Sequence, residues 1–181
     1  AQLWIALPKE KEAIAPDFKH YPVIPHIEHH DHEIYVLVGE FNNELSPVEM
    51  HSPLSAIDIK AKQDTVLTVP LNSTFEYGLL PLEGTINIDG QSMDDNALAF
   101  IPSGSDSIVI TLKKDSRILL IGGEPIEQPP LMWWNFVAWE QETIEKALVD
   151  WKEHSDRFPP VDYEGSSEPL IAPELTGKLK N

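Results

Sequence analysis

Between Glu33 and Gly123 short apolar runs recur about every ten residues, each bounded by turn-forming residues and none long enough to make a helix. They are Ile34 to Val38, Leu54 to Ile59, Val66 to Val69, Phe75 to Leu80, Thr85 to Ile88, Ala97 to Ile101, Ile108 to Leu112 and Ile118 to Ile121. Several alternate: Ile57 and Ile59 flank Asp58, Ile86 and Ile88 flank Asn87, and Ile108, Ile110 and Leu112 enclose Val109 and Thr111. A period of two puts one face of each strand against a core. Asp89-Gly90, between Thr85-Ile-Asn-Ile88 and Gln91-Ser-Met93, is the dipeptide of a two-residue type I′ hairpin, in which both central residues take positive φ. With no helical period between the runs, βαβ units are excluded, and the expected architecture is all-β, a sandwich or jelly-roll barrel.

The flanks differ from this centre. Residues 8–32 carry Pro8, Pro16, Pro22 and Pro25 in polar surroundings and read as a linker. From Glu140 to His154 the period changes, with Ile144, Ala147, Leu148 and Trp151 on one helical face. Glu140, Glu142 and Glu145 at its start and Lys152, His154 and Arg157 at its end suit the helix dipole, and Glu142 is placed to pair with Lys146. Beyond it, Pro159, Pro160, Pro169 and Pro173 predict an irregular tail. The expected division is a strand and linker over 1–32, a barrel over 33–137, and a helix with an extended tail over 138–181.

Charge and composition remove several classes of function. Thirteen basic against thirty acidic side chains give a net charge of −17. That balance repels a phosphate backbone, so nucleic acid is not an expected partner. No apolar run approaches the ~20 residues of a membrane helix, so no membrane partner is expected either. Cysteine is absent, which excludes disulfides and thiolate metal sites. With nothing resembling a signal peptide, a cytoplasmic location is expected. The first residues, Ala1-Gln2-Leu3-Trp4-Ile5, lack a starting Met and open in strand-like sequence, so a preceding segment is expected as well.

Three stretches carry a family resemblance. Ile121-Gly-Gly-Glu-Pro-Ile126, Pro130-Leu-Met-Trp-Trp-Asn-Phe-Val137 and the helix Glu142 to Trp151 follow one another in an order and spacing similar to the C-terminal region of bacterial pirins. Leu3-Trp4-Ile5-Ala6-Leu7-Pro8 resembles the pirin segment that joins two barrels. The resemblance implies a cupin-type jelly-roll barrel, the second of two that face each other. It further implies a single metal, usually iron, held by histidines and a glutamate in an N-terminal barrel absent from this chain. Some pirins are associated with oxygen-dependent cleavage of quercetin and related flavonols, others with regulation through protein partners.

Cupins hold their metal through two motifs, G-x5-H-x-H-x3,4-E-x6-G and G-x5-P-x-G-x2-H-x3-N. The second aligns on Pro102-Ser-Gly104, which puts Asn96 at its leading glycine, Ser107 at its histidine and Thr111 at its asparagine. Anchoring the first on Gly84 puts Tyr77 at the glutamate and Leu71 and Ser73, or Pro70 and Asn72, at the histidines. None of these replaces imidazole at a catalytic iron. No catalytic, cofactor or metal residue is therefore expected in this barrel, and its role shifts towards structure or binding.

Other signals are weaker. His26-Ile-Glu-His-His-Asp-His32 gathers four histidines and two carboxylates, yet His30-x-His32 lacks the glycine and glutamate of a cupin motif, so a solvated loop is expected, with opportunistic Zn²⁺ or Ni²⁺ binding the alternative. Ser103 and Ser105 belong to a turn, Gly122-Gly123 to a strand exit, and Asp94-Asp95 to a solvated turn. Trp133, Trp134, Phe136 and Trp139 crowd seven residues. Read as one strand, Met132 to Val137 presents bulky groups on both faces, so Trp133, Trp134 and Phe136 are candidate interface residues towards an N-terminal barrel, a second copy or another protein.

Two functions compete. One is the non-catalytic half of a metal-dependent, quercetinase-like dioxygenase; the other is a regulatory or protein-binding module without turnover. A third reading is a small-molecule pocket inside the barrel lined by Phe75, Tyr77 and Phe100, although an interior filled by side chains is the simpler expectation.

Overall fold

Asp89 and Gly90 turn the chain with φ of 48° and 87°, the paired positive values that a type I′ hairpin needs, and set Ile88 opposite Gln91. In the computed structural model, which describes residues 2–93, 97–160 and 169–180, this hairpin joins β8 (Ile86–Ile88) to β9 (Gln91–Met93). Asn96 and the Asp94-Asp95 turn lie outside the described residues. The chain divides into two units, His20–Pro125 and Ala1–Lys19 with Ile126–Asn181.

The His20–Pro125 unit is built of two antiparallel sheets. The larger is ordered β1 (His26–Glu28), β2 (His32–Val38), β5 (Leu54–Ala61), β12 (Arg117–Gly123), β7 (Glu76–Glu83), β10 (Ala99–Ile101). The smaller is ordered β6 (Thr65–Pro70), β11 (Ser107–Leu112), β8, β9, and a short hairpin pairs β3 (Glu40–Phe41) with β4 (Glu44–Leu45). Strands consecutive in the chain are mostly not neighbours in a sheet, as a jelly roll requires.

Alternation decides which side chains meet. Val36, Ile57, Ile59, Leu79, Ile118 and Leu120 on the larger sheet share one core with Val69, Ile86, Ile108, Ile110 and Leu112 on the smaller. Each such side chain contributes roughly 1.5–3 kcal/mol by leaving water. Asp58, between Ile57 and Ile59, takes the other face and is held by Arg117, whose Nε and Nη2 donate to its carboxylate at 2.9 and 2.6 Å.

Two expectations need correction here. Residues 26–28, assigned above to a linker, are a sheet strand, with Ile27 opposite Ile34. One apolar residue between His26 and Glu28 gave no alternation to read. Phe100 does not face the interior: it sits opposite Gly78 on the outer face and is 64% exposed, while its neighbour Ile101, opposite Tyr77, points inward.

The other unit pairs β13 (Leu131–Trp133) with β14 (Phe136–Ala138) and packs them on α1 (Gln141–Glu153). Trp133 pairs with Phe136, and Trp134 sits in the turn between them with φ of 54°. The segment expected as one strand is thus a hairpin, and it belongs with the helix and not with the barrel. Ile144 is fully buried beneath Phe136 and Ala138. Helix α1 ends at His154 in the left-handed region, with its N–H turned back to the Asp150 carbonyl. Lys146 pairs forward with Asp150 at 3.0 Å, in place of the expected Glu142. Leu3, Trp4 and Ile5 form no strand.

Candidate functional site

The positions that the sequence alignment sets against the cupin metal ligands have other contacts in the structure. Tyr77 is buried, and its phenolic oxygen accepts the Asn72 backbone N–H at 2.9 Å. Ser107 is exposed opposite Pro70, and the Leu71 N–H donates to the Asp106 carbonyl at 2.8 Å. The Pro102-to-Gly104 turn keeps its geometry, with Gly104 at φ 99° and its N–H on the Ser73 carbonyl. Among the described residues no three histidine, aspartate or glutamate side chains converge. One phenol and a few hydroxyls are hard, weakly basic donors, and they do not fit a catalytic iron.

The histidine cluster is organised around Asp31. Thr65 Oγ1 donates to Asp31 Oδ2 at 2.5 Å, and His32 Nδ1 lies 2.9 Å from Oδ1. The Lys62 and Gln63 N–H groups both reach the Asp31 carbonyl. The Thr65 hydroxyl first, then His32 and the backbone N–H of Asp31 itself, hold the carboxyl down at about 2. His26 stacks on Tyr35 at 4.4 Å and lies 3.3 Å from Glu33, and His29 stacks on His32. The imidazoles therefore fasten the turn into β2 and face several different partners.

At the opposite end of the same strands, between the β3–β4 hairpin and the loop from Leu71 to Phe75, a cleft of about 430 Å³ opens. Phe75 and Tyr77 line it with ring centroids 6.0 Å apart, together with Phe41, Met50, Leu54 and Leu120. Below the cleft the barrel is filled by the shared core. Of the expected trio, Phe75 and Tyr77 come together and Phe100 does not. The sequence reading missed the β3–β4 lip, although Asn42-Asn43, at φ 50° and 65°, is a readable hairpin signal.

The aromatic segment is used within its own unit. Phe136 is buried, and Trp133 and Trp134 are half-buried against α1 and the tail. Trp134, Phe136, Trp151 and Phe158 form a cluster of edge-to-face and tilted rings. Indole N–H groups anchor irregular chain: Trp133 to the Pro173 carbonyl, Trp139 to Leu7 and Trp151 to Leu170. Helix and tail supply part of the cover on these rings. Met132, 61% exposed, and Val137 opposite it are apolar side chains that this hairpin leaves uncovered.

With this geometry established, comparison with known families is decisive: residues 56–158 match the pirin C-terminal cupin domain. The chain belongs to the pirin family. A crystal structure of quercetin 2,3-dioxygenase from Acinetobacter baumannii is 42% identical, with a TM-score of 0.90 over 98% of this pirin chain and 59% of that one. A Pseudomonas aeruginosa protein provisionally named a quercetin 2,3-dioxygenase is 37% identical over 99% of the chain, and a pirin-like protein of Caulobacter vibrioides is 28% identical over 90%. The chain spans 56% of each of those two relatives, about half their length. The fold of this pirin chain is thus a mostly β cupin jelly roll with one C-terminal helix.

Proposed function

We propose that this chain acts as a non-catalytic cupin barrel within a longer pirin-type protein, whose chemistry is a metal-dependent, quercetinase-like dioxygenation of flavonols. One observation carries the reading. Tyr77, which the motif alignment sets at the cupin glutamate, is committed to the Asn72 N–H in a cleft with no histidine among its lining residues. Among the described residues no three histidine or carboxylate side chains come together to hold a metal, which supports a non-catalytic role. The names of the Acinetobacter and Pseudomonas relatives supply the substrate class. In this reading iron is held by histidines and a glutamate of a preceding barrel, and this chain completes the wall around the substrate.

The test is oxygen uptake. A full-length protein containing this chain, loaded with iron, is expected to consume oxygen in the presence of quercetin, and metal removal is expected to abolish uptake. The 181-residue chain alone is expected to be inactive with or without iron. Uptake by the chain alone would overturn the non-catalytic assignment. An inactive iron-loaded full-length protein would overturn the dioxygenase assignment and leave a regulatory, protein-binding module.

A further inference from the structure

The cleft at the β3–β4 end of the barrel has a property that the loss of metal ligands does not explain. Tyr77 is only 6% exposed, lines the cleft, and accepts a hydrogen bond from the Asn72 N–H at 2.9 Å. Its own hydroxyl proton meets no acceptor among the described residues. A buried donor without a partner is unfavourable, so such a group is satisfied by water or by a ligand. Burial also pushes the phenol above its ordinary value, which keeps it protonated and donating at neutral pH.

The walls define what suits that proton. Phe41, Phe75 and the Tyr77 ring offer flat apolar faces, and the volume of about 430 Å³ lies within the range of small-molecule sites. Of the lining residues only Glu40 is charged, so an anion would meet a carboxylate with no cation to balance it. A cation would leave the Tyr77 proton unsatisfied. What remains is a neutral ring system carrying a hydrogen-bond acceptor.

We infer that this cleft is a small-molecule site for a neutral aromatic ligand whose carbonyl or ether oxygen accepts the Tyr77 hydroxyl proton. It stands or falls independently of the dioxygenase reading.

The experiment titrates the ¹⁵N-labelled 181-residue chain with 1-indanone and, separately, with indane, which has the same frame and no oxygen. Indanone is expected to shift the amides of Gly39, Asn72 and Phe75, and to bind more tightly than indane. Tyr77→Phe keeps the ring and removes the proton, and is expected to weaken indanone roughly tenfold while leaving indane unchanged. Met50→Trp, at the exposed edge of the cleft, is expected to block both. That variant and the indanone–indane pair decide the matter if Tyr77→Phe fails to fold. The proposal is overturned if indanone causes no localised shifts, if both compounds bind alike, or if Met50→Trp binds as the parent does.

Discussion

Tyr77 occupies the space that a side chain at position 122 would need: a Cβ added to Gly122 would lie 2.3 and 2.5 Å from two of its ring carbons. The two residues face each other across β7 and β12, in register. Gly122→Ala is therefore expected to destabilise the barrel by about 1–3 kcal/mol, because the ring must leave its place in a packed wall. Chemical denaturation measures this. Tyr77→Leu, which vacates part of the ring's space, is expected to recover some of the loss in the double variant, and strict additivity would show that the two positions do not compete.

Asp58 gives a second expectation. Its side chain is 9% exposed, on a sheet face where neighbouring Leu119 is also buried, and Arg117 grips it through two nitrogens. Arg117→Met is expected to cost about 2–3 kcal/mol, chiefly because a buried carboxylate loses its donors. Asp58→Asn in the same background removes the stranded charge and is expected to restore part of that stability. Urea midpoints of the three variants check it, and a double variant no better than Arg117→Met would refute the account.

At the other end of the strands, Asp31 predicts a dependence on acid. Its folded value of about 2 lies below the ordinary 3.8, so its contribution is fully present above about pH 4 and is lost as pH falls towards 2. Asp31→Asn is expected to lower stability at neutral pH and to flatten the acid limb of the stability curve between pH 4 and 2. Thermal melts across that range test it; an unchanged acid limb would mean that Thr65 and His32 do not hold the carboxylate in solution.

These three sites also show what the sequence could and could not convey. Alternation around Asp58 and along Ile108 to Leu112 named the inward side chains, because the period of two is a local property of the strand. The Asp89-Gly90 turn was equally local. Phe100 failed for a different reason: Ala99, Phe100 and Ile101 are all apolar, so the strand carries no phase, and only the position of Phe100 opposite Gly78 turns it outward. The Gly122–Tyr77 fit joins positions far apart in the chain, so nothing local announced it. Trp133 to Phe136 misled because bulk on both faces of a strand and a hairpin tip beside a helix write the same residues, and only the positive φ at Trp134 separates them. The comparison of Tyr77 and Ser107 with cupin ligand positions needed a motif, and no spacing within this chain could have supplied it.

The tryptophans make the last prediction, in the unit that the barrel pattern did not describe. Trp139 is half-buried, its indole N–H reaches the Leu7 carbonyl at 2.9 Å, and its backbone N–H reaches the Glu12 carboxylate at 3.1 Å. The Arg157 guanidinium donates to the Glu12 carbonyl at 3.2 Å, so the first residues are tied both to the start of α1 and beyond its end. Trp139→Phe keeps most of the ring contact and deletes one neutral hydrogen bond, worth about 1 kcal/mol. Because the loss falls on a short segment with few other attachments, it is expected to appear as local opening before it appears in the global melt. Trypsin should then cut faster after Lys9 and Lys11, while the melting temperature changes little. Arg157→Ala is expected to act in the same direction, and the two substitutions together should accelerate cleavage more than either alone. Unchanged cleavage in both single variants would mean that other contacts hold the segment.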